Sequence, residues 1–162
     1  IVMKIKSSGA DLVLYGGYHP EAAKIVSGMK KKKMKTLFIS DDGVRDDTFI
    51  KVAGQYAEGV YATGPIDTTK NPMAIAAIEQ HKKVYGSDPG AFYLNAYAAS
   101  LCLLEAIQKA GSTDFAAVTK ALRANWFETP LGKISFDDNG DAKGIGFSMY
   151  QVQKGVYVEV GK

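Results

Sequence analysis

Asp11-Leu-Val-Leu-Tyr15, followed at once by Gly16-Gly-Tyr-His-Pro-Glu21, is the stretch on which the fold turns. A short unbroken apolar run that stops at a glycine pair has the form of a strand buried on both faces, and such strands belong to parallel sheets. Pro20, whose ring fixes φ near the helical value, suits the first turn of a helix. Ala22, Ala23, Ile25, Val26 and Met29 then make that helix's apolar side. The alternation repeats downstream. Thr36-Leu-Phe-Ile39 predicts a second strand, Asp46 or Asp47 can cap a helix running to about Ala53, and Gly59-Val-Tyr-Ala-Thr63 predicts a third strand closed by Gly64-Pro65. Three strands alternating with two helices imply parallel βαβ units.

Upstream, Ile1, Val2 and Ile5 have helical spacing with no capping residue before them, and Ser7-Ser8-Gly9 reads as a helix C-terminus. The chain is therefore expected to begin inside a helix. Beyond Pro65 the pattern changes to helices alone: Pro72 to Tyr85, Ala91 to Ala110, and Thr113 to Ala124. Extended structure then returns. Lys133-Ile-Ser-Phe136 and Gly146 to Val152 alternate apolar with polar positions around the turn Asp137 to Asp141, which predicts a closing hairpin, with a last strand at Val156 to Val160. This order suits two lobes better than one compact domain: residues 1–65 and 128–162 in one lobe, and 66–127 as a helical segment of the other. The apolar faces around Leu101, Leu104 and Ile107 would then need cover, and self-association of the chain is one expected solution.

With 46% hydrophobic and 23% charged side chains, the 162 residues have the composition of an ordinary globular domain rather than a disordered segment. Twenty basic against 17 acidic residues, spread along the chain, give a net charge of +3, and no nucleic-acid partner is expected from so small a balance. The cluster Lys30 to Lys33 with Lys35 reads as a solvated helix C-terminus, where cations oppose the negative end of the helix dipole. The longest apolar segment, Ala91 to Ile107, is broken by Asn95, Ser100 and Glu105, whereas a membrane span needs about 20 predominantly apolar residues. It reads as a core helix, and Cys102 within it as buried and inert.

Catalytic constellations are scarce, and an enzyme is not expected. His19 and His81 are the only imidazoles, and His81 sits on a lysine-rich face with Lys82 and Lys83, where solvation is the plain reading. Neither a dinucleotide G-x-G-x-x-G nor a phosphate-binding G-x-x-x-x-G-K-[ST] occurs, so no cofactor is implied. Asp137, Asp138, Asn139 and Asp141 offer oxygen ligands, but without calcium-loop spacing or a closing glutamate they read as a β-turn, and no metal site is assigned.

More telling are the residues at the carboxyl ends of the predicted parallel strands, where open α/β sheets place ligands. Gly16-Gly-Tyr-His-Pro-Glu21 follows the first strand and Ser40-Asp-Asp-Gly-Val44 the second. Gly17 would let backbone approach a small molecule, Tyr18 would give an aromatic wall or a hydroxyl, and an aspartate could hold a cation. The plain alternative is a pair of ordinary βα loops with Asp as a helix cap.

These words, together with Asp42-Gly-Val44, Ala53-Gly54, Ala57-Glu-Gly59, Gly90-Ala-Phe92 and Pro130-Leu-Gly132 leading to Phe136-Asp-Asp-Asn-Gly-Asp141, resemble the periplasmic leucine/isoleucine/valine-binding protein family. These are the branched-chain amino-acid substrate-binding proteins of ABC transporters, and the resemblance runs in order along essentially the whole chain. It implies an α/β, type I periplasmic-binding-protein-like fold with doubly wound, three-layer αβα lobes that close on a ligand. Here it would be a partial chain, with the N-terminal lobe largely missing. It implies periplasmic residence, a membrane permease as partner, and an amino-acid ligand. By position, Tyr18 looks like the family's ligand-contacting tyrosine, Asp42 stands where an acidic residue takes the ligand's ammonium, and Phe92 stands where an aromatic packs on the ligand side chain. Asp42 is one methylene shorter than the closest members' glutamate, and Ser40-Asp41 replaces a Gly-Pro pair. A ligand-sensing domain of a receptor or regulator on the same fold is the alternative use.

Overall fold

The computed structural model describes residues 1–68 and 70–161. Helix α1 (Val2–Ser8) ends where Gly9 turns left-handed, at φ 67°, a conformation that costs glycine little. Strand β1 (Leu12–Tyr15) leads into α2 (His19–Lys31), with Pro20 in its first turn. After β2 (Leu37–Ser40) come a 3-10 turn (Asp42–Val44) and α3 (Asp47–Ala53), capped by Asp46, whose carboxylate accepts from the Thr48 N–H at 2.7 Å. A second 3-10 turn (Gly54–Ala57) precedes β3 (Tyr61–Pro65). The helices α4 (Pro72–Tyr85), α5 (Tyr93–Ala110) and α6 (Phe115–Ala124) follow, then β4 (Phe127–Thr129), β5 (Gly132–Phe136), β6 (Ala142–Lys143), β7 (Phe147–Gln153) and β8 (Val156–Glu159).

These elements form two units, Ile1–Gly64 with Phe147–Lys162, and Pro65–Gly146. The first is built on a five-stranded sheet in the order β1-β2-β3-β7-β8. Strands β1, β2 and β3 run parallel, with Leu12 opposite Leu37 and Ser40 opposite Ala62, as βαβ units require. An antiparallel pair, β7 with β8, completes a mixed sheet. Ala22, Ala23, Val26 and Met29 of α2 and Phe49 of α3 pack with Phe38, Val60 and Val152 of the sheet side, and Val2 and Ile5 of α1 join the same core.

Those helices all cover one face. The expectation that the first strand is buried on both faces is corrected: Leu12 and Leu14 are 44% and 77% exposed, and Leu37 beside them is 50% exposed. An unbroken apolar run reports the affinity of both faces for cover, but whether each face meets a second layer is a tertiary matter.

In the second unit, Ala98, Cys102 and Ala106 of α5 and Val118 and Ala121 of α6 pack with Phe127, Leu131 and Ile134 of the β4–β5 hairpin. Burial, and secondarily Glu105, pushes the Cys102 thiol above its ordinary value. Asn71 caps α4 by accepting from the Met73 N–H, and its amide donates to the Thr129 and Pro130 carbonyls, each at 2.9 Å, tying α4 to the hairpin.

Two expectations change here. Residues 128–146 group with the helices, and the chain rejoins the large sheet at Phe147 rather than at 128. The expected hairpin of Lys133–Phe136 with Gly146–Val152 does not form either. β5 pairs with β4 and with the short β6, while β7 lies beside β3, with the Gly59 N–H donating to the Val152 carbonyl and the Val152 N–H to the Val60 carbonyl. Alternation fixes which side chains share a face, not which strand is the partner.

Candidate functional site

Both candidate loops leave the sheet at the carboxyl ends of neighbouring parallel strands, so register sets their spacing. Tyr15 is opposite Ser40. The Ser40 hydroxyl donates to the Tyr15 carbonyl at 3.0 Å, locking the last residue of β2 to the last of β1.

The two adjacent aspartates then divide their work. The exposed Asp41 turns its carboxylate back onto the loop, where Oδ1 accepts from the Gly43 N–H at 3.2 Å and from the Ser40 hydroxyl at 3.3 Å. This is the turn-forming habit of aspartate. Asp42 opens the 3-10 turn half-buried, and among the described residues its carboxylate accepts no hydrogen bond and forms no ion pair. A carboxylate held on a rigid turn without an internal partner can accept a donor from a ligand.

Gly43 explains how the loops meet. It is buried, and a Cβ added there would lie 2.5 Å from the Gly17 carbonyl oxygen and 3.2 Å from Cδ1 of Tyr18. Close approach of two backbones, rather than a left-handed φ, demands glycine. Gly43→Ala is expected to push the loops apart and destabilise the sheet unit by about 1–3 kcal/mol, as overpacking does. The measurement is the urea midpoint, and an unchanged midpoint would mean that the contact yields freely.

Tyr18 precedes α2, with its ring 62% exposed beside Gly43. Beneath it the Tyr15 hydroxyl reaches the Tyr18 carbonyl at 3.5 Å, and its ring stands 5.6 Å from that of Phe38. Desolvation, then the charges of Glu21 and Asp41, push the Tyr15 phenol above its ordinary pKa. From the far strand, the Tyr157 hydroxyl donates to the Val44 carbonyl and anchors the end of the 3-10 turn. Burial leads the causes that raise that phenol's pKa strongly.

Gly17, Tyr18 and Asp42 therefore come together on one rim of the sheet unit. Phe92 lies in the other unit, immediately before α5 and 45% exposed. His81 also belongs there, and it is not a plainly solvated side chain: its ring lies 4.7 Å from Tyr85 and 4.8 Å from Tyr93, and Nδ1 is 3.1 Å from the Ser87 carbonyl. The Asp137 to Asp141 turn is closed by the Asp137 carboxylate, which accepts from the Asn139 and Asp141 N–H groups at 2.9 Å.

Sequence reading passed over Arg45 and the packing role of Gly64. A Cβ on Gly64 would lie 2.4 Å from Cδ of Arg45, and the guanidinium stacks on Tyr150 with Cζ 3.8 Å from the ring centroid. A basic residue directly after the second βα loop was the available signal.

Comparison with known proteins gives a consistent set. The periplasmic binding protein family matches residues 1–156. The leucine-, isoleucine-, valine-, threonine- and alanine-binding protein of Pseudomonas aeruginosa is 36% identical over 154 residues, covering 95% of this chain and 41% of that protein. The Leu/Ile/Val-binding protein homolog 1 of Brucella suis is 36% identical over 156 residues, covering 96% and 42%. The chain thus spans about two fifths of the length of these curated relatives. The crystal structure of a leucine binding protein from Thermotoga maritima superposes with a TM-score of 0.84 at 27% identity, covering 99% of this chain and 46% of that one. A solute binding protein from R. palustris in complex with benzoate gives 0.79 at 19% identity, covering 99% and 45%, a likeness of fold alone.

Proposed function

This chain belongs to the periplasmic binding protein family, and from that premise we propose that it is the ammonium-binding part of an extracytoplasmic solute-binding protein that delivers an amino acid, branched-chain or similar, to an ABC importer. The observation that carries the reading is the Asp42 carboxylate. It stands at the carboxyl end of β2, with no hydrogen bond or ion pair among the described residues, beside a loop pair held together at Gly43. Tyr18 and Gly17 would supply wall and backbone on the same rim, and Phe92 is kept as a ligand-contacting aromatic on the family resemblance alone. The relatives' names supply the ligand class.

Ligand closure rather than covalent chemistry is the mechanism in this reading, and the partners are the free amino acid and a membrane permease. Among the described residues no helix is long and apolar enough to cross a membrane. Residues 1–64 with 147–162 would belong to one lobe of the binding protein and residues 65–146 to the other. The test is calorimetric titration, with a panel of amino acids, of the protein at its full natural length and of this 162-residue chain. One-to-one binding by the full-length protein and none by the chain is expected. Comparable binding by the chain alone would place a complete site within these residues and refute the divided site.

A further inference from the structure

Arg45 follows the 3-10 turn directly, and its N–H donates to the Asp42 carbonyl at 3.1 Å. Arg45 is the residue that closes this turn, so Asp42 and Arg45 leave the same loop at the carboxyl end of β2. They nonetheless form no ion pair within 4.0 Å, and among the described residues no carboxylate or carbonyl accepts from the guanidinium. Nε is fully buried without an acceptor. The side chain runs instead over Gly64, at the carboxyl end of β3, and lies flat on Tyr150. Its stem and plane are therefore held by packing, and among the described residues its guanidinium finds no acceptor. A charged donor left without an acceptor is costly, and a planar guanidinium fixed by stacking is preorganised for a carboxylate, which it can hold through two parallel bonds.

We propose that Arg45 is a ligand-recognition residue of this site, whose guanidinium takes a carboxylate of the molecule whose ammonium Asp42 takes. The assignment rests on the amino-acid reading above and deepens it. Opposite charges on one turn, unpaired with each other, complement a molecule that carries both. The carboxylate is a second one, carried on the side chain of an acidic amino acid, since a contact to the α-carboxylate would put both polar ends of every amino acid on this chain and leave no divided site.

The experiment measures calorimetric affinities of the full-length protein for two pairs, leucine with leucinamide and glutamate with glutamine, in the unmodified protein, in Arg45→Met and in Arg45→Lys. Arg45→Met keeps the apolar stem over Gly64 and removes the charge. It is expected to shrink the preference for carboxylate over amide by about tenfold or more in the glutamate pair, with Arg45→Lys intermediate. Shrinkage confined to the glutamate pair supports the assignment, and shrinkage in the leucine pair would overturn it by placing the α-carboxylate on Arg45. Unchanged preferences in both pairs, with binding still sensitive to Asp42, would overturn the role of Arg45 and leave the amino-acid reading standing. If the unmodified protein binds none of the four, the amino-acid reading fails and this assignment falls with it. Should Arg45→Met not fold, Arg45→Lys decides alone: it keeps stem and charge but lacks the fork, and full retention of both preferences would count against a bidentate contact.

Discussion

Asp42→Asn is expected to weaken amino-acid binding by the full-length protein by about ten- to a hundredfold, the equivalent of losing one charge-assisted hydrogen bond worth about 1.5–3 kcal/mol. The substitution is nearly isosteric and leaves the 3-10 turn intact, because the bond that closes the turn is accepted by the Asp42 backbone carbonyl from the Arg45 N–H, not by the side chain. An amide can still accept from an ammonium, but without the opposite charge. Asp41→Asn provides the contrast. Asp41's carboxylate is engaged with the Gly43 N–H and the Ser40 hydroxyl, so its loss should appear first as lower stability of the loop pair. Calorimetry on both variants separates the roles, and undiminished affinity in Asp42→Asn would remove that residue from the site.

Phe127→Ala is expected to cost about 3–5 kcal/mol, a large share of the 5–15 kcal/mol typical of a whole domain. Phe127 is fully buried, it faces Ile134 across the β4–β5 pair, and it packs among side chains of α5 and α6. Truncation removes the aromatic volume from the point where hairpin and helices share a core, and neither backbone can collapse into the gap without breaking the strand pairing. The neighbouring Trp126 is the sole tryptophan and half-exposed, so its fluorescence during urea unfolding reports on this unit. The transition should move to lower urea with a similar slope, and an unmoved midpoint would mean that Phe127 is not integral to that core.

Much of the fold can be read in the sequence wherever the signal is local. Gly9 ends the first helix because a residue without Cβ accepts the left-handed turn, Asp46 caps α3 through its own carboxylate, and Pro20 sits in the first turn of α2. Each depends on a few consecutive residues. The boundary of the helical unit was not legible in the same way. Phe127, Leu131 and Ile134 alternate like any strand residues, and only their fit against Cys102, Ala106 and Val118 assigns that hairpin to the helices. Gly146 to Val152 alternates equally well, yet it joins β3 and β8.

The candidate site divides along the same line. Sequence brings Gly17, Tyr18 and Asp42 to the carboxyl ends of parallel strands, since strand direction and loop position follow from the alternation of apolar runs and helices. Tertiary structure decides which of two adjacent aspartates keeps its carboxylate unengaged, that Gly43 lies against the Gly17 carbonyl, and that Arg45 spans Gly64 and Tyr150. The sequence by itself determined the elements, their order and the loops that carry the polar groups, because capping, turn chemistry and periodicity act over a few residues. Only the tertiary structure decided strand partners, the face left without helices and the state of each charge. Those depend on contacts between residues far apart in the chain, as between Val44 and Tyr157, whose energies no local pattern encodes.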